Sequence, residues 1–288
     1  MQQLGHDLIF LGMIEAGEDY YHKAAYITAK NGLRIDLTQQ RALMRAKLQK
    51  GEYETALTEL IRERDRLESL GINIRLSEVN YDIFFAHLHL GNYDTVASIA
   101  KQNLAICQKS GYALYLYGWY MNLCLVYLGL GEYEKALHYL EQRYEPRQTN
   151  FPDDYIEEEC AYVLLRLEEY DKSRLIIRRA LENVITSESK PRLLWLLPAI
   201  SLHLSALGQM EYAIEIYTLA LTFPFIANSR WFYDVAGRRI EKAAESLPPD
   251  VVAAAKARGR ELDLWETAKE LLVELGSEES SIESCLCV

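Results

Sequence analysis

The chain lacks the residue patterns that mark most chemistries. It has only five cysteines, at positions 107, 124, 160, 285 and 287, and no C-x-x-C pair. An odd number without ligand spacing speaks against a disulfide framework or a cysteine-built zinc site, and fits reduced thiols in a cytoplasmic protein. Basic residues are scarce: 31 Lys and Arg stand against 42 Asp and Glu, a formal charge of −11. A nucleic-acid-binding face shows as a basic stripe, and none is visible. No uninterrupted apolar stretch reaches the roughly 18 residues of a membrane span. Met1 to Ala16 lacks the basic start and cleavage site of a secretory leader.

Catalytic signatures are also missing. There is no phosphate-binding G-x-x-x-x-G-K-[ST] loop and no G-x-S-x-G elbow. His87 and His89 are two residues apart, which on a helix points them to different faces and makes a poor metal pair. His6, His22, His138 and His203 have no Cys or Asp at ligand spacing. Acidic runs such as Glu157-Glu158-Glu159 read as solvated faces, since neighbouring acids on a helix do not converge on one atom. These absences favour a non-enzymatic chain with no metal, nucleotide or other cofactor.

What is present is periodicity. Half of the residues are hydrophobic, and one turn recurs between amphipathic segments. It reads Gly51-Glu52-Tyr53 with Ala56, Gly91-Asn92-Tyr93 with Ala97, and Gly131-Glu132-Tyr133 with Ala136. Variants follow at Glu168-Glu169-Tyr170 with Ser173 and at Gly208-Gln209-Met210 with Ala213. From Tyr53 to Met210 the spacings are 40, 40, 37 and 40 residues, and a further copy, Leu11-Gly12, then Tyr21, then Ala24, places Tyr21 32 residues before Tyr53. Six related helical hairpins in phase indicate an array rather than a chance match. The small residue suits two helices that cross closely.

The stretch from Tyr120 through Leu123-Cys124, Tyr127, Gly131-Glu132-Tyr133 and Ala136 to Leu140 resembles a tetratricopeptide (TPR) repeat. The resemblance implies an all-α fold: a right-handed TPR-like superhelical solenoid of about six hairpins with a C-terminal helical cap. The array spans 1–224, with repeats at about 4–31, 36–69, 77–110, 112–144, 152–187 and 190–222. First helices are expected at 4–16, 36–50, 77–90, 112–130, 152–167 and 190–207, and second helices at 18–31, 52–69, 92–110, 132–144, 169–187 and 209–222. Pro198 falls inside a first helix and should kink it or shift its start. Residues 225–275 form the cap, with helices from Ser229 to about Ser246, from Val251 to Arg258 ending at Gly259, and from Asp263 to Leu275. The Ser/Glu-rich stretch 276–288 reads as a disordered acidic tail. Its end, Cys285-Leu286-Cys287-Val288, formally fits a prenylation box at Cys285, but no polybasic segment precedes it.

A second resemblance lies in Ala253 to Thr267, whose Gly259-Arg260-x-Leu262-x-Leu264-x-Glu266 pattern is similar to the ending of bacterial STAND-type signalling ATPases and transcriptional regulators. In that class an effector and a nucleotide-binding module precede a TPR array. It implies a ligand-sensing interaction module in a signalling protein, with a fused or separate effector or NTPase partner. A stand-alone adaptor and a cytosolic peptide receptor of the quorum-sensing type are the rival expectations. In all three the partner is a protein, peptide or small effector, with no direct nucleic-acid or membrane contact.

In TPR arrays the first helices line a concave groove. Counted back from each marker, groove positions are Arg41 and Arg45, then Tyr81, Phe85 and His89, Met121 and Leu125, Glu158 and Tyr162, and Leu202. Aromatic and Arg anchors usually dominate recognition. Phe85, Met121 and Leu125 fit inter-repeat core equally well. Arg41 and Arg45 are expected to face solvent or ligand.

Overall fold

A computed structural model describes residues 4–5, 8–9, 12–31, 37–110, 113–144 and 157–276. Among these residues the protein is all-helical, with no strand, and its helices pack against one another. The helices are α1 (Ile14–Lys30), α2 (Leu37–Gln49), α3 (Tyr53–Ser69), α4 (Asn73–His89), α5 (Tyr93–Ser110), α6 (Ala113–Leu130), α7 (Tyr133–Tyr144), α8 (Glu157–Arg166), α9 (Tyr170–Ser187), α10 (Lys190–Ala206) and α11 (Met210–Leu221). Then come α12 (Pro224–Ala227), α13 (Arg230–Phe232), a π-turn (Tyr233–Gly237), α14 (Arg238–Ala244), α15 (Pro249–Glu261) and α16 (Leu264–Glu274). Residues 277–288 of the acidic tail, Cys285 among them, lie outside the described residues.

One turn is built six times. The residue after each first helix is left-handed: Gly12, Gly51, Gly91, Gly131, Glu168 and Gly208 have φ between 63° and 80°. The next N–H reaches back five residues to a carbonyl, as in Glu52 to Lys47, Asn92 to His87, Glu132 to Tyr127 and Gln209 to Leu204, at 2.9–3.0 Å. The left-handed residue donates to the carbonyl three back. This pair of bonds satisfies carbonyls that a helix end leaves open and reverses the chain. The second helix starts at once. Its fourth residue must be small or slim where the helices cross, and Ala56, Val96, Ala136, Ser173 and Ala213 are all fully buried there.

The first turn corrects the expected register. It closes at Gly12, not near Tyr21, because Met13 N–H bonds to Leu8 O at 2.8 Å. The marker of this copy is therefore Ile14 and its small residue is the buried Gly17. A methyl at Gly17 would fall 2.5 Å from Ile9 and 2.8 Å from the Gly5 carbonyl. Tyr21 is a core residue of α1, 1% exposed, which is why it stands out in the sequence.

From α1 to α12 each helix packs on its neighbour in sequence, and α2 on α4, α6 on α8 and α8 on α10 pack first helix against first helix. The uncharged helix α6 is surrounded by α5, α7, α8 and the π-turn, which explains why Leu123 to Leu128 are all buried. No described helix is long and apolar enough to cross a membrane. Pro198 lies within α10 without shifting its start. Gly259 continues α15 instead of ending it. A methyl there would lie 2.4 Å from the Glu215 carbonyl, so the glycine serves the close crossing of α15 over α11. At the far end α16 packs on α9.

The turns differ in what surrounds them, which gives a direct test. At Gly208 (φ +79°) nothing lies within 4 Å of an added methyl, whereas at Gly51 (φ +72°) it would meet the Pro224 carbonyl oxygen at 2.3 Å. Gly208→Ala should cost about 1 kcal/mol from the left-handed backbone alone. Gly51→Ala should cost about 2 kcal/mol more, from overlap with backbone that cannot rotate away. Urea unfolding of both variants measures the difference.

Candidate functional site: a wall filled by the chain's own arm

Part of the first-helix side on which a partner was expected is covered by residues 224–237. Tyr53, the first residue of α3, is fully buried, and its hydroxyl donates to the Phe225 carbonyl. Asn228 Nδ2 donates to the Gly51 carbonyl at 3.2 Å. Tyr93 Oη donates to Asp234 Oδ2 at 2.9 Å, and Arg230 and Arg238 clamp the same carboxylate at 2.9 and 2.6 Å. The turn glycines leave the room: methyls at Gly51 and Gly91 would strike Pro224 and Arg230 respectively.

Two aromatic residues anchor this arm. Trp231 and Phe232 are completely buried. Trp231 Nε1 donates to the Leu125 carbonyl of α6 at 2.8 Å. Its ring stacks on Trp195 of α10 (5.1 Å, 26°) and meets Tyr162 of α8 edge-on (5.4 Å). Gly129 makes this possible, since a methyl there would lie 2.5 Å from the Tyr93 ring and 3.0 Å from Trp231. Phe232 sits among Trp195, Phe225 and His89.

His89 is the polar centre of the contact. It is 2% exposed, stacks on Tyr53 at 4.5 Å, and its Nδ1 lies 2.8 Å from Ser229 Oγ. Ser229 also caps the turn ahead of α13 by accepting from Phe232 N–H at 3.2 Å. Accepting from Phe232 leaves the hydroxyl a second lone pair and its own proton, so it can pair with Nδ1 of neutral His89 in either tautomer. Burial pushes the His89 imidazole down to about 3.

The structure places the sequence candidates differently from expectation. Tyr81 and Phe85 stay half-buried at the edge of the aromatic ladder, 5.0 Å apart edge-on, with Tyr81 also against Trp119. His89, Met121, Glu158 and Tyr162 are buried, together with Leu125 and Leu202. They do not face an open groove, because the arm and the neighbouring first helices cover them. Tyr162 Oη donates to the Trp195 carbonyl at 2.7 Å, tying α8 to α10. Glu158 pairs with Arg192 at 2.7 Å across the same two helices.

Arg41 is half-buried in an ion-pair cluster, while Arg45 stays largely exposed to solvent. Arg41 bonds Asp82 and Glu78, both at 2.7 Å, and Arg45 Nε lies 3.3 Å from Asp82, which is only 2% exposed. They tie α2 to α4 and are not free cations awaiting a ligand. Sequence reasoning passed over the arm residues Phe225, Ser229, Trp231 and Phe232 as the start of a cap helix. The clearest overlooked signal is Gly129, a glycine inside a helix that otherwise carries large side chains.

Two consequences are measurable. Since the native pKa of His89 lies below the ordinary 6.5, the unfolded chain binds the extra proton between about pH 6.5 and 3, and stability falls as pH drops through that window. At pH 5 the loss from this group amounts to about 2 kcal/mol. His89→Phe, which keeps the stack, should flatten the decline in urea midpoint between pH 7 and 5. Arg41→Ala leaves a buried carboxylate with one distant partner and should cost about 2 to 3 kcal/mol. The more exposed Arg45→Ala should cost under about 1 kcal/mol. Thermal unfolding at pH 7 separates these two variants.

No family model matches the sequence, and neither a curated protein nor a solved structure matches it.

Proposed function

We propose that this chain is a non-catalytic interaction and sensing module: a TPR-type superhelical array whose recognition wall is occupied by its own arm, residues 224–237. The carrying observation is the manner of the arm's seating. It contributes two aromatic anchors, Trp231 and Phe232, a backbone carbonyl at Phe225 accepting from Tyr53, and a serine paired with His89. Those are the elements by which such walls hold a segment of another protein. An aromatic-bearing protein or peptide segment is the partner chemistry that fits the same wall, with the half-buried Tyr81 and Phe85 at its open edge.

The interior polar groups support a structural and not a catalytic assignment. Arg41 with Asp82 and Glu158 with Arg192 each bridge two helices as ion pairs, and Ser173 joins His203 of a neighbouring helix at 3.2 Å. The STAND-like reading adds that partner engagement at the wall is passed to an attached or separate effector module. In the adaptor reading, the same wall assembles a complex without signalling.

A tethered arm competes with free partners at an effective concentration in the millimolar range. A synthetic peptide copying residues 222–236 should therefore bind wild type weakly. It should bind Trp231→Ala at least tenfold tighter by fluorescence anisotropy, with far-UV circular dichroism showing that the variant is folded. The milder Ser229→Ala/Asn228→Ala pair serves the same purpose if Trp231→Ala does not fold. Equal binding to wild type and to a folded arm variant, or binding to neither, would overturn the proposal.

A further inference from the structure

A cavity of about 520 Å³ opens between α11, α14 and α15, beside the C-terminal end of the arm. That volume lies in the range of small-molecule sites. Its floor is apolar and includes Ile214, Leu221, Ile240, Ala244 and Val252. Polar lining groups are few: Tyr217, Thr218, Glu241, Glu245 and Lys256, with the two glutamates four residues apart.

These groups are only partly used within the chain. Glu241 accepts one bond from Tyr233 Oη at 3.0 Å. Glu245 and Lys256 form no ion pair among the described residues, with each other or with another group. The Tyr217 hydroxyl fills the space left by the missing side chain of Gly237, 2.2 Å from where a methyl would stand, and makes no hydrogen bond among the described residues. Burial, with the Glu241 carboxylate, pushes this phenol up, so it stays a neutral hydroxyl that can donate or accept. Gly237 ends the π-turn that precedes α14, and such turns within helices are frequent at functional sites.

The charge around the cavity selects its ligand. Two carboxylates and one ammonium are among its lining groups. A positively charged head is drawn to this cavity and a carboxylate or phosphate is repelled, while an aliphatic or aromatic body covers the apolar floor. We infer that the cavity between α11, α14 and α15 is a binding site for a small organic cation with an apolar body, its ammonium held by Glu241 and Glu245. This site does not depend on the role proposed for the arm.

Isothermal titration with n-hexylammonium, 1-hexanol and hexanoate at matched ionic strength tests the inference on the intact protein. The expected result is saturable one-to-one binding of hexylammonium, at least tenfold tighter than hexanol, with hexanoate weaker still. In Glu241→Gln/Glu245→Gln, two exposed positions, the preference for the amine over the alcohol should fall to within about twofold. Ala244→Trp, which fills the cavity, should weaken hexylammonium at least tenfold at unchanged far-UV circular dichroism. If that variant does not fold, the glutamine pair alone decides. Absence of saturable hexylammonium binding, equal binding of the three probes, or an unchanged preference in the glutamine pair would overturn the assignment.

Discussion

A single left-handed residue at the end of each first helix is the constraint on which everything else hangs. It turns the chain within two residues, so that the second helix begins in contact with the first and the small residue at its fourth position is buried at once. Glycine meets this requirement without steric cost, and Glu168 meets it with strain. The same absence of side chains at Gly51 and Gly91 lets the arm run across the turns, against Pro224 and Arg230. The turn that builds the hairpins is therefore also the surface that accepts the arm.

That constraint explains why the helices were so legible. Gly-x-Tyr followed by a small residue is a local signal, read within six positions, and observed helix ends from α2 to α11 fall mostly within a few residues of those expected. Where the local signal was copied imperfectly, the reading slipped. Tyr21 imitates a marker because it is a large buried aromatic, but the bonds of Gly12 and Met13 put the marker at Ile14, seven residues earlier. Gly259 imitates a helix stop, but its role is set by the approach of α11, which is far away in sequence.

The wall was less legible for the same reason. Arg41, Glu158 and Tyr162 have side chains that suit a solvent-facing or ligand-facing position, and their partners stand 33 to 41 residues away. Nothing near Arg41 in the sequence says that Asp82 neutralises it. The arm's anchors are farther still: Trp231 bonds a carbonyl 106 residues upstream, and Ser229 meets a histidine 140 residues upstream. Contacts of that span are specified by shape complementarity over the whole array, and single positions show them only indirectly, as Gly129 does by leaving room for Tyr93 and Trp231.

The arm sets a quantitative bound on any partner of this wall. Truncating a fully buried Trp typically costs about 3 to 5 kcal/mol, and the arm adds a second buried ring and several hydrogen bonds to fixed partners. A ligand making only rim contacts cannot supply that difference, since such contacts contribute little each. A partner that displaces the arm must bring aromatic anchors of its own into the pocket between Tyr162, Trp195 and Leu125. A partner without them is confined to the exposed edge at Tyr81 and Phe85, where it leaves the arm in place and has no differential contact through which to report its binding.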